Sequence, residues 1–125
     1  MLNILLVTPR IQELTSFTQV LSSYPEVQLE FAETGADALD AVCAKPPHLA
    51  VIDVDLPDIP PMSLVQKMLT VNAMVNTAVV SPLSEEEFHE ASEGLGVLGR
   101  LPLDPGKDDA ESLLIKLRKI LGLVS

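Results

Sequence analysis

The chain has 125 residues, the size of one ordinary domain, and can bury roughly two-thirds of its unfolded surface without a metal or disulfide staple. Its net charge of −10 argues against nucleic acid, because neutralising a phosphate backbone needs clustered Lys and Arg, and equally against an anionic membrane surface. Hydrophobic residues make up 47%, yet only Phe17, Tyr24, Phe31 and Phe88 are aromatic, so the core must be aliphatic. Cys43 is the single cysteine, which excludes an internal disulfide and fits a reducing compartment. The opening run Leu2 to Val7 is too short for a signal segment or a membrane span. A cytoplasmic protein is expected.

Short apolar runs alternate with longer segments of helical period. The first strand is expected over Asn3–Val7, followed by a helical stripe of Ile11, Leu14, Phe17 and Leu21. Thr8 suits the cap of that helix and Pro9 its first turn. The second strand spans Val27–Ala32, and Thr34 precedes a helix with Leu39, Val42 and Cys43 on one side. The third strand, His48–Val54, contains Ala50-Val51-Ile52, apolar without alternation, as expected of a strand covered on both faces. Pro57-Asp58-Ile59-Pro60-Pro61 reads as a loop, and Leu64, Met68 and Leu69 mark the third helix. The fourth strand is expected over Asn76–Ser81. Ser84 with Glu87 forms a capping-box pattern for a helix carrying Phe88 and Ala91, which Gly94 would close. The fifth strand, Gly96–Leu101, leads to a last helix with Leu113, Leu117, Ile120 and Leu121 on its inner side.

Five alternations of strand and helix over residues 1–125 imply a single α/β domain. It is a three-layer α/β/α sandwich around a five-stranded parallel sheet with right-handed crossovers. The usual doubly wound order is 2-1-3-4-5, with ligands gathering at the carboxyl ends of the strands. That rule points to Thr8, Asp53, Ser81 and Leu101, with Asp53 expected as an exposed acid at the mouth of the third strand.

These positions are also where the sequence resembles the receiver domains of two-component response regulators, the flavodoxin-like receiver fold. Leu49-Ala50-Val51-Ile52-Asp53-Val54-Asp55-Leu56-Pro57 resembles that family's phosphoacceptor strand and loop. Glu33-Thr34-Gly35-Ala36-Asp37-Ala38-Leu39 resembles its turn into the second helix, and Leu101-Pro102-Leu103-Asp104-Pro105 the loop that normally opens with Lys-Pro. The resemblance implies an aspartate phosphorylated by in-line transfer. An acidic pair after the first strand helps hold Mg²⁺, and a Ser/Thr and a Lys contact the phosphoryl oxygens. Asp53 and Ser81 match this pattern. Thr8 and Pro9 stand in place of the acidic pair, Leu101 in place of the lysine, and Leu98 in place of an aromatic residue.

Losing even one charge stabiliser of a transition state typically costs about 10²–10³ in rate, and Mg²⁺ normally relies on a carboxylate or two plus phosphate oxygens. The expectation is therefore a degenerate receiver: a signalling module that binds a protein partner without being phosphorylated, with no metal and no catalytic residue. The alternative is a slow phosphoacceptor at Asp53, the one reading in which Mg²⁺ enters. A nucleotide or flavin binder is the third, weakened by a first turn, Thr8-Pro9-Arg10-Ile11, that has no glycine to cradle phosphate. Asp55, Asp58 and Asp104 are the loop acids that could supply replacement metal oxygens, with solvated carboxylates the default, and Arg10, Arg100 and Lys107 are the candidate surrogate cations. Arg100, one residue before Leu101 on a strand, should point to the opposite face.

Glu86, Glu90 and Glu93 fall at helical spacing on the fourth helix, while Lys116 and Lys119 lie on the fifth. The acidic side is explained by solvation and the helix dipole. The resemblance adds a docking face made by the fourth helix, fifth strand and fifth helix, for a histidine kinase, an output domain or a second copy of the chain.

Overall fold

A computed structural model of the chain describes residues 2–122. Five parallel strands, β1 (Leu2–Val7), β2 (Val27–Ala32), β3 (Leu49–Ile52), β4 (Asn76–Val80) and β5 (Val97–Leu101), lie in the order β2-β1-β3-β4-β5. Between and after them run α1 (Thr15–Ser22), α2 (Gly35–Ala44), α3 (Pro61–Val71), α4 (Glu85–Ala91) and α5 (Lys107–Ile120). The expected class and strand order are both realised.

The pleat sorts the core into two halves. Ile4 and Leu6 of β1 join Leu49, Val51, Ala78 and Val80 beneath Phe17, Leu21, Leu113 and Leu117 of α1 and α5. Leu5 and Val7 point the other way, joining Ala50, Ile52 and Val79 against Ala38, Val42, Leu64, Met68 and Phe88. β3 is therefore apolar throughout because both of its faces are covered, while β1 and β4 admit Asn3, Asn76 and Thr77 in their first halves. At about 25 cal/mol per Å² of apolar surface removed from water, these two layers supply the main drive for folding.

Local chemistry sets most helix starts as expected. The Thr34 hydroxyl accepts from the Asp37 amide at 3.0 Å, and Ser84 and Glu87 form a reciprocal capping box. That contact holds the Glu87 carboxyl below its usual range, chiefly through the bond from the Ser84 amide. Pro61, expected at the end of the loop, instead opens α3, in a first turn where no N–H is required.

Several expectations shift. β3 stops at Ile52, β4 at Val80, and β5 begins at Val97. Just beyond β3 and β4 one more inter-strand bond forms on each, from the Asp53 amide to the Val7 carbonyl and from the Ser81 amide to the Leu101 carbonyl, before the chain turns away. The first helix does not start at Thr8 and Pro9. A 3₁₀ turn over Ile11–Leu14 precedes α1, and Thr8 bonds elsewhere. Cys43 faces solvent, because the inward side of α2 runs through Gly35, Ala38 and Val42. On α5 the buried stripe is Ala110, Leu113, Leu114 and Leu117, which leaves Ile120 58% exposed. α4 ends at Ala91 with Ser92 as its cap, so Gly94 lies beyond the helix, although its φ of 82° is left-handed as expected.

Candidate functional site

The carboxyl ends of β1, β3, β4 and β5 converge on Asp53, which follows β3. Asp53 is not the exposed acid expected there: it is 1% exposed, and Thr8 and Ser81 beside it are also buried. Burial of a carboxylate is tolerable only if its oxygens are satisfied by charged or polar donors. Here they are. Oδ2 accepts from the Thr8 hydroxyl at 2.7 Å and from Arg10 Nε at 2.7 Å. Oδ1 accepts from Arg10 Nη2 at 2.9 Å and from the Val54 amide at 2.7 Å.

Arg10 is thus the centre of the site, and it does what a guanidinium does best. Its planar fork meets the carboxylate with two parallel N–H donors, a geometry that an ammonium cannot copy. The Arg10 pKa is raised further by the hydrogen bond to Asp53, outweighing the partial burial that would lower it. Nη2 also donates to the Leu103 carbonyl at 2.8 Å, and Nη1 lies 3.5 Å from Glu13 Oε2. One side chain therefore ties the loop after β1 to the end of β3 and to the loop between β5 and α5. Thr8 prepares this arrangement. Its hydroxyl accepts from the Arg10 amide at 3.0 Å while donating to Asp53, so it is part of the site and not a helix cap.

Pro9 is exposed beside Arg10. The Ser81 hydroxyl accepts from the Leu83 amide at 3.2 Å, satisfying loop backbone as expected for a serine with no other role. Leu101 is 4% exposed and belongs to the core beneath α1 and α5, and Pro102 is half-buried after it. Arg100 does point to the opposite face, donating to the Ser81 carbonyl at 2.9 Å. Lys107 stays on α5, 3.8 Å from Glu111. Of the three candidate cations, Arg10 reaches the carboxylate.

The residues do not fit a resident Mg²⁺. Asp53 has no free oxygen lone pair, and among the described residues no group of three or more His, Cys, Asp or Glu is placed to hold a metal. Asp55 is exposed in left-handed backbone with φ 58°. Asp58 is turned away, accepting from the Gly35 and Ala36 amides at 2.8 and 2.9 Å. Those two bonds hold its carboxyl below the usual range. Asp104 is exposed.

On the candidate docking face, Glu86 and Glu90 are exposed on α4, and Lys116 and Lys119 on α5. Glu93 is exposed but lies past the end of the helix, so it does not share their face. Glu85 faces Arg100 instead, at 3.5 Å. Among the described residues no helix is long and apolar enough to cross a membrane.

The fold is an α/β domain with the architecture of response regulator receiver domains. A receiver domain from Methanospirillum hungatei superposes with a TM-score of 0.83 at 22% identity, covering 98% of each chain. A two-component response regulator from Legionella pneumophila gives 0.78 at 18% identity, over 95% of this chain and 99% of that one. CheY4 of Vibrio cholerae gives 0.79 at 17% identity, over 94% and 98%. No protein-family model and no curated protein sequence matches the chain.

Proposed function

We propose that the chain is a degenerate receiver domain of two-component signalling, a protein-interaction module whose conformation is set without phosphorylation. One observation carries this reading: both oxygens of Asp53 are fully engaged by Arg10, Thr8 and Val54. A phosphoacceptor must present a free oxygen to the donor and gather cations around the transferred group. Here the cation is already in place, and it blocks the acceptor. Incubation with acetyl phosphate and Mg²⁺ tests the reading by intact mass. No added phosphoryl group is expected over hours. Stoichiometric labelling that Asp53→Asn abolishes would establish the slow phosphoacceptor instead.

The partner in this reading is a protein, a histidine kinase or an output domain, met through α4, β5 and α5. Of the exposed residues there, α4 carries Glu86 and Glu90 and α5 carries Lys116 and Lys119. A patch with opposite charges on its two helices is self-complementary across a two-fold axis, so a homodimer through it is part of the proposal. Sedimentation should then show an association that weakens as salt rises. A monomer at high concentration and low salt would rule the dimer out.

A further inference from the structure

We infer that Arg100 is a latch on α4: one guanidinium pins a short helix that little else holds in place. α4 has 7 residues, and Phe88 is its buried side chain. The capping box at Ser84 and Glu87 stabilises the helix but does not attach it to the sheet. On its far side the chain runs through Gly94 and Gly96, both left-handed at φ 82° and 64°, where an added Cβ would meet nothing. On its near side it leaves β4 through Ser81, Pro82 and Leu83, with Leu83 37% exposed.

Arg100 spans that near junction. Its Nη1 donates to the Ser81 carbonyl at 2.9 Å, and its Nε lies 3.5 Å from Glu85 Oε1. It therefore grips the residue after β4 and the first residue of α4 together. The two contacts are unequal. A charge-assisted bond to a carbonyl at a partly buried site outweighs an ion pair to a carboxylate that is 79% exposed. Nε itself is buried and, among the described residues, has no hydrogen-bond partner, so Glu85 neutralises it without bonding it well. The β-ladder beneath is independent of the latch, since the Ser81 amide still bonds the Leu101 carbonyl at 3.0 Å.

Opening the latch would thus free α4 as a local unit and leave the sheet intact. Because α4 carries Glu86 and Glu90, its position decides where those carboxylates stand. The inference does not depend on what the chain binds. Amide hydrogen exchange of Arg100→Ala tests it. The amides of Phe88 and Ser92, which close turns of α4, should exchange up to about fivefold faster than in the unmodified chain, the scale of one lost ion pair with an exposed partner. The amides of Asp53 and Leu64 should keep their rates. Arg100→Lys, which retains a donor for the Ser81 carbonyl, should restore most of the protection. Unchanged α4 exchange in Arg100→Ala would overturn the inference. So would equal acceleration across the whole domain, in either variant, because that reports global destabilisation and not a latch.

Discussion

Arg10→Ala should cost the domain about 3 kcal/mol of folding stability, measured by urea denaturation at pH 7. The substitution leaves Asp53, 1% exposed, with only Thr8 and Val54 to satisfy a full negative charge. Removing one partner of a buried ion pair typically costs about 3–5 kcal/mol, because the remaining charge is stranded in a poor solvent. The lower end applies here, since the Arg10 side chain is 23% exposed and water can follow the truncation. The double variant Arg10→Met with Asp53→Leu should recover most of the loss, as replacing a buried pair with apolar residues of similar volume is often neutral. A single-variant loss under about 1 kcal/mol would mean that the carboxylate is already served by water.

Gly35→Ala should cost about 1–3 kcal/mol by overpacking. Gly35 opens α2 and is buried under the loop after β3, and a Cβ there would collide with the Ile59 side chain. Ile59 is β-branched, so few χ1 positions are open to it for relieving the clash. The displaced loop would also take Asp58 away from the Gly35 and Ala36 amides. That loss has its own pH signature. The Asp58 pKa is lowered in the folded state by those bonds, so its contribution is present above the unfolded value, about 3.9, and disappears as pH falls through the lower folded value. The difference between Gly35→Ala and the unmodified chain should therefore narrow between about pH 5 and pH 2. A difference independent of pH would show that Asp58 keeps its bonds in the variant.

The fold was legible because it depends on patterns that local sequence records. Doubly covered strands need uninterrupted apolar runs, and parallel strands need helices between them, so Ala50-Val51-Ile52 and Ala78-Val79-Val80 fix the layers. Helical phase was read less well. Cys43 sits next to the buried Val42 in sequence, yet each residue turns about 100° from its neighbour, which carries Cys43 to solvent, and Ile120 is exposed in the last turn of α5, past the buried stripe that ends at Leu117. The length of α4 is hidden in the sequence by a run of like residues. The acids continue to Glu93, but the chain has already left the helix at Ala91 and meets two left-handed glycines soon after.

The site was legible in position and illegible in state. Topology put Thr8, Asp53, Ser81 and Leu101 at one edge, and all four are there. Burial of Asp53 could not be read, because it is produced by a contact 43 residues away in sequence made by a long, flexible side chain. A signal existed: a strand-end aspartate without metal ligands or lysine still needs a cation, and Arg10 is the basic residue in the loop beside it. What sequence could not supply was the choice among Arg10, Arg100 and Lys107. That choice depends on where each stem leaves the backbone.

The central claim is that Arg10 holds the Asp53 carboxylate in place of a metal, and the arginine side-chain region of a ¹⁵N–¹H spectrum tests it most directly. Arg10, Arg100 and Arg118 are the chain's three arginines, so the signals can be assigned by substitution. The Arg10 Nε–H should be sharp and protected from exchange at pH 7, unmoved by millimolar Mg²⁺, and lost in Asp53→Ala. An Arg10 signal that exchanges freely with water, or that collapses when Mg²⁺ is added, would contradict the account.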